Sequence, residues 1–214
     1  MGWMFFRKSN WVFPIGLFDS LSYPNYGSIL FIDSIPLFAM FFKAISNILP
    51  ETFQYFGMFG LLCYSLQGIF AFTLLRKYID DKLYCIIGTV FFIISPYLLQ
   101  RMFWHTALSS NFLILAGLCL FAYREKYNDN ILKKLIYWNG LLIFAITIHL
   151  YYVPMILIIM LCTFIAEYKE NKISYKSSIL TGIMCAVLGI TTIYLLGGMS
   201  SNSFTQNRNN TLQY

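Results

Sequence analysis

The chain has 214 residues, a formal net charge of +6 and only 11% charged residues, with a mean hydropathy of +0.65. A soluble domain carries about 25% charged residues, so this composition excludes an ordinary soluble protein. Apolar runs of membrane-spanning length recur, without the alternating ten-residue segments of a membrane β-barrel, and they predict an all-α, polytopic membrane bundle. The basic residues are scattered between these runs rather than clustered on one face, so no nucleic-acid partner is expected.

The cysteines do not indicate disulfides or a metal site. All five lie inside apolar runs, without a CxxC pair or clustered histidines, at Cys63, Cys85, Cys119, Cys162 and Cys185. We therefore interpret them as small apolar residues. The first residues also lack the basic region and cleavage site of a signal peptide.

Residues 1–52 are predicted to form an outer interfacial loop with one amphipathic helix. Residues 1–27 are irregular and rich in rings that suit the headgroup zone, among them Trp3, Phe5, Phe6, Trp11, Phe13 and Tyr23. The next segment contains Asp33 and Lys43, and two unpaired charges make a membrane span expensive. A helix from Pro36 to Leu49 that lies in the interface is therefore favoured.

The transmembrane bundle is predicted over residues 53–197. The run from Tyr84 to Tyr123 has 40 residues and would be about 60 Å long as one helix, whereas the hydrocarbon core is about 30 Å thick. It must fold back, and the break at Pro96 places Arg101 and His105 at an outer apex. Residues 135–168 pose the same problem, and folding them near HLYYVP (149–154) places His149 at a second outer apex.

Six spans result, followed by a polar outer tail over residues 198–214: Phe53–Leu75, Tyr84–Leu99, Ala107–Tyr123, two within Leu135–Tyr168, and Ser178–Leu196. The orientation follows from the fifteen basic residues, because five lie outside and ten inside. The outer five are Arg7, Lys8, Lys43, Arg101 and Arg208. The inner ten, interpreted as solvated loop charges, are Arg76, Lys77, Lys82, Arg124, Lys126, Lys133, Lys134, Lys169, Lys172 and Lys176. Both termini then lie outside, and an outer N-terminus without a signal suggests a missing upstream segment.

Four polar residues fall on the outer side and form the candidate site. Arg101 offers a planar fork of donors that suits a lipid phosphate, and His105 and His149 can donate hydrogen bonds or transfer protons. Asp33 can act as a general base on a sugar hydroxyl or hold a divalent cation. No other cofactor is indicated.

Each of these residues also has a simpler interpretation. Arg101 at a helix end can snorkel to lipid headgroups, and His105 beside Trp104 fits an ordinary interfacial position. His149 fits a structural hydrogen bond among apolar neighbours. Asp33, which precedes a proline-initiated helix, fits a helix cap. The interpretation as a functional site is favoured for the four residues together, because the predicted topology places them on one side of the membrane.

Several segments carry a family resemblance over nearly the whole chain. They are GWMFFR (2–7), WVFPIG (11–16), DSIPL (33–37), FQYFG (53–57), Arg101 with HTAL (105–108), and His149 with Tyr151. With them the chain resembles an uncharacterised family of bacterial integral membrane proteins. That family is similar in layout to the GT-C superfamily of polytopic glycosyltransferases, which use polyprenyl-phosphate-linked sugars.

The resemblance implies a multi-pass protein of the bacterial plasma membrane and a sugar transfer at its outer face. GT-C proteins begin with a transmembrane helix and an acidic outer loop, so it also implies a fragment whose main catalytic acid lies upstream and whose C-terminal part lies beyond Tyr214. Asn111 stands where the family pattern has a second histidine. The alternatives are a non-catalytic transporter or flippase, which usually places charges near mid-membrane, and an inactive remnant.

Overall fold

A computed structural model of the chain describes residues 2–19, 26–127, 130–170 and 175–200. The first part contains two short strands that pair antiparallel and two helices: α1 (Gly2–Lys8), β1 (Leu17–Phe18), β2 (Gly27–Ser28) and α2 (Pro36–Ala44). The helices that follow are α3 (Phe56–Leu75), α4 (Lys82–Ile93), α5 (Pro96–Trp104), α6 (Phe112–Ala122), α7 (Ile131–Ile148), α8 (Tyr152–Lys169) and α9 (Tyr175–Leu195).

Five helical segments in the described part of the chain are long and apolar enough to cross a membrane. They are α3, α4 with α5 taken together (Lys82–Trp104), α7, α8 and most of α9. The remaining predicted span is a shorter apolar segment, Thr106–Ala122. The prediction of an all-α, multi-span membrane protein is therefore confirmed, while most of the predicted tail, from residue 201 onward, lies outside the described residues.

The hairpin between Tyr84 and Tyr123 turns later than the proline suggests. Pro96 occupies the first turn of α5, where its missing N–H is tolerated, so it interrupts the run without reversing it. The reversal follows Trp104, where His105 leaves the helical conformation (φ −143°, ψ 78°) and a 3₁₀ turn spans Thr106–Ser109. α5 is held against α3 by the close approach of Met102 to Gly60, where a Cβ atom would lie 2.7 Å from the Met102 sulfur.

The aromatic rings of the N-terminal region are divided between the protein core and its surface. Trp3 and Phe6 are buried, and the Trp3 indole N–H donates to the Phe53 carbonyl at 3.0 Å. Trp11 and Phe13 remain exposed. The headgroup position predicted for all of these rings is therefore wrong for Trp3 and Phe6, because α1 folds onto the rest of the protein.

Lys43 is also enclosed rather than placed at the surface. Its ammonium lies 4.0 Å from the centroid of the Phe6 ring and 4.5 Å from that of Trp11, and it donates to the Ser9 hydroxyl at 3.0 Å. Burial lowers the pKa of Lys43 to about 8, with a smaller opposing effect from Asp19. The two ring faces favour the charged form and hold α2 against the N-terminal segment.

The end of α9 is closed by the N-terminal strands. The backbone N–H of Gly16 donates to the Leu195 carbonyl at 3.4 Å, and the Ser28 hydroxyl donates to the Leu196 carbonyl at 2.7 Å. These bonds satisfy carbonyls that a helix end leaves without partners. Gly197, with φ of +76°, lets the chain leave the helix in the left-handed conformation.

The end of the bundle at which α7 begins contains a buried ion pair. Lys134 of α7 donates to Glu167 of α8 at 2.5 Å, and both side chains are fully buried. Lys134 also donates to Ser178 of α9 at 3.3 Å. The interpretation of the inner basic residues as solvated loop charges is therefore wrong for Lys134, whereas its neighbour Lys133 is exposed.

We expect Lys134→Ala to lower the free energy of unfolding by about 3–5 kcal/mol, because it leaves the Glu167 carboxylate buried without its cation. Lys133→Ala, one residue away and exposed, should change it by less than about 0.5 kcal/mol. Denaturant unfolding of the two variants in the same detergent measures the difference. Equal stability of the two variants would contradict a buried pair.

Candidate functional site

One cavity of about 880 Å³ brings together the four residues predicted from the sequence. Asp33, Arg101, His105 and His149 all line it. They share its wall with apolar residues and with Tyr97, Asn111, Tyr151 and Tyr152. The four residues of the candidate site therefore lie around one space.

Each of the four side chains comes from a point where a helix begins or ends. Arg101 lies in the last turn of α5 and His105 directly follows that helix. His149 occupies the turn between α7 and α8, and Asp33 lies between the 3₁₀ turn Ile29–Phe31 and α2. The apolar interiors of the helices leave such turns as the positions where polar groups are tolerated.

Asp33 and His105 lie next to each other in the cavity wall. One Asp33 oxygen accepts the backbone N–H of Ala107 at 3.2 Å, and the other lies 3.7 Å from Nδ1 of His105. Both side chains retain access to solvent, with 35% of Asp33 and 56% of His105 exposed. The alternative that Asp33 caps α2 is wrong, because the residue at that cap is Ile35 and no side chain bonds there.

The backbone beside Asp33 is strained and fixed from several sides. Ile35 has φ of +50°, a conformation that is unfavourable for a β-branched residue. Its carbonyl accepts the backbone N–H groups of Phe38 and Ala39 at 2.9 and 3.0 Å. The buried Tyr55 hydroxyl donates to the Ser34 carbonyl, and burial raises the pKa of Tyr55. These contacts hold Asp33 toward the cavity, consistent with strain that clusters at functional sites.

Arg101 supplies the cation of the cavity. Its guanidinium carbon lies 5.2 Å from the centroid of the Tyr97 ring. Its Nε is buried and has no hydrogen-bond partner within the described part of the chain. A buried donor without a partner costs free energy, so the guanidinium, which lines the cavity, is suited to donate hydrogen bonds to an anionic ligand.

His149 is held in one orientation by its neighbour in the turn. Its Nδ1 accepts the backbone N–H of Tyr151 at 3.2 Å, and the two rings pack edge to face with centroids 4.7 Å apart. Burial lowers the pKa of His149; the Asp33 carboxylate opposes this effect and His105 adds to it. His149 is therefore neutral near pH 7.

Tyrosines and an asparagine complete the site, and the sequence pattern did not identify them as site residues. The Tyr152 hydroxyl donates to the Leu108 carbonyl at 2.6 Å and lies 3.3 Å from the Asn111 amide oxygen. It thereby joins the two hairpin turns. The tyrosines and Asn111 lie beside the predicted turns, and this position was the only indication in the sequence of a role in the site. The indication was weak for the tyrosines, because the sequence contains sixteen of them.

The cavity provides few of the side chains that a divalent cation would need as ligands. Among residues 2–19, 26–127, 130–170 and 175–200 no group of three or more His, Cys, Asp or Glu side chains could hold a metal ion. Among the described residues that line the cavity, only Asp33 provides a carboxylate.

The lowered pKa of His149 predicts loss of stability in acid. Its folded-state pKa lies below the unfolded value of about 6.5, so its contribution is present above that pH and is lost as the pH falls through the folded pKa. His149→Gln, which cannot be protonated, should flatten the decline in melting temperature between about pH 7 and pH 5. His105→Gln is the control and should retain the steeper decline; an unchanged slope in His149→Gln would contradict the assignment.

Comparison with known proteins identifies the family of the chain. No curated protein and no solved structure matches it significantly. A protein-family profile described as "Domain of unknown function (DUF6311)" matches residues 1–214. Because this profile covers residues 1–214, the chain belongs to the DUF6311 family of proteins.

Proposed function

We propose that the cavity binds the phosphate group of a polyprenyl-phosphate-linked sugar at the outer face of the bacterial plasma membrane. The protein would act as a GT-C-like glycosyltransferase or as part of one. The observation that carries this proposal is Arg101, whose side chain lines the same cavity as the neighbouring Asp33 and His105 and whose buried Nε has no partner among the described residues. A planar guanidinium is suited to the oxygens of a phosphate group.

The position of the cavity supports a ligand that comes from the bilayer. Beside the cavity, at the end of α5, Phe103 and Trp104 are 84% and 76% exposed. Large exposed rings of this kind are typical of the headgroup zone. The opposite end carries the basic residues, with ion pairs such as Lys77–Glu125 at 3.9 Å. This distribution favours placing the cavity on the outer side, at the depth of a lipid phosphate.

The polar groups of the cavity are suited to transfer of a glycosyl group. An acceptor hydroxyl would lose its proton to Asp33, supported by His105, while its oxygen attacks the anomeric carbon. The bond from that carbon to the phosphate oxygen breaks, and the electron pair leaves with the lipid phosphate. Arg101 would stabilise the charge on the departing phosphate.

Arg101→Ala should abolish measurable binding of decaprenyl phosphate to the purified protein in lipid nanodiscs, because the guanidinium provides the charge-assisted bonds. Arg101→Lys keeps the charge but not the fork, and we expect binding weakened by about tenfold or more. Lys82→Ala removes an exposed cation at the inner end and is the matched control. Unchanged binding in Arg101→Ala would refute the proposed ligand.

Asp33→Asn should reduce transfer by about 10²–10⁴-fold while it leaves lipid-phosphate binding in place, because a neutral amide cannot accept the hydroxyl proton. The assay follows release of decaprenyl phosphate from a sugar-loaded donor by mass spectrometry. Asp80→Asn changes an exposed carboxylate away from the cavity and should leave turnover unaltered. Binding without turnover in the unmodified protein would favour the transporter or inactive alternatives over an enzyme.

A further inference from the structure

We infer that the two histidines of the cavity have different and fixed roles: His149 donates a hydrogen bond to the bound anion through Nε2–H, and His105 exchanges protons. This inference rests on the proposed function, since it concerns how the same site holds a phosphate group. It assigns His149 to anion binding rather than to proton transfer.

The tautomer of His149 follows from the group that it faces. A backbone N–H can only donate, so the ring nitrogen that receives the Tyr151 N–H must carry a lone pair. That nitrogen is Nδ1, and a neutral imidazole with an unprotonated Nδ1 carries its hydrogen on Nε2. Nε2–H is therefore the ring donor that remains for a ligand in the cavity.

Protonation of His149 is opposed by the same contact. A proton on Nδ1 would set two donors against each other and break the bond from Tyr151. The ring is also half-buried and lies against the Tyr151 ring, which limits its rotation. The charged groups near it are Asp33 and His105, and their effects oppose each other. His149 is thus a neutral donor near pH 7.

His105 has the opposite arrangement. Its Nδ1 faces the Asp33 carboxylate at 3.7 Å, which favours a proton on that nitrogen and leaves Nε2 as the basic nitrogen. The side chain is more than half exposed, so exchange with solvent is open to it. An anion in the cavity would therefore meet Arg101 and His149 as donors, while the acceptor hydroxyl would meet Asp33 and His105.

The chain offers a direct test because it contains only two histidines. Protein labelled with ¹⁵N in histidine shows two imidazole rings by NMR, and His105→Gln assigns them. We expect the His149 ring to keep a protonated Nε2 and an unprotonated Nδ1 between about pH 6 and pH 8. A His149 ring that is protonated on Nδ1 in this range would overturn the inference without any variant at position 149.

Binding measurements test the donor role. Glutamine can place an amide N–H near the position of Nε2, whereas asparagine can accept the Tyr151 N–H but is too short to reach the ligand. We expect His149→Gln to bind decaprenyl phosphate within about threefold of the unmodified protein, and His149→Asn to bind at least about tenfold more weakly. Equal loss in both variants would refute the donor role.

The two levels of the proposal fail in different ways. If Arg101→Ala binds normally, the proposed function fails whatever the histidines do. If Arg101→Ala loses binding but the glutamine and asparagine variants behave alike, only the role of His149 fails. Inorganic phosphate in place of decaprenyl phosphate separates the source of the anion: competition at similar concentration would show that the site selects free phosphate and would remove the lipid from the proposal.

Discussion

The high cost of polar groups in hydrocarbon determines where chemistry can occur in this protein. Helices satisfy their own backbone bonds, but each reversal of the chain exposes N–H and C=O groups that need partners. The two hairpin turns after α5 and α7 therefore meet at one end of the bundle. Side-chain bonds from Asp33 to Ala107 and from Tyr152 to Leu108 join the segments there. The cavity is therefore lined in part by polar and charged side chains, which the apolar interior of the bundle excludes.

A second consequence is the separation of charges between the two ends. At the end of the bundle away from the cavity, acidic residues lie close to basic residues, as in the buried pair of Lys134 and Glu167. At the cavity, Arg101 Nε has no partner among the described residues, although Asp33 lines the same space. A cation already neutralised by a carboxylate would bind an anion weakly. In the proposed function, Asp33 stays with His105 and Arg101 is left for the ligand.

Span lengths and charged flanks were sufficient to predict the helices and the grouping of Arg101, His105 and His149, because both depend on distances along the chain. Contacts between distant segments were not predictable in this way. Nothing local shows that Trp3 and Phe6 fold into the core or that Lys134 meets Glu167. The bond of Asp33 to Ala107 joins residues 74 positions apart, so the sequence suggested a helix cap instead. The histidine tautomers were equally inaccessible, since they depend on which backbone group each ring faces.

The closure of α9 by the N-terminal strands has a consequence for the order of assembly. The carbonyls of Leu195 and Leu196 receive Gly16 and Ser28, so the earliest part of the described chain needs its latest helix to complete its contacts. During synthesis the N-terminal segment must wait, with its buried rings only partly covered, until α9 has entered the membrane. A region that is synthesised before α9 is therefore completed only after α9 is in place.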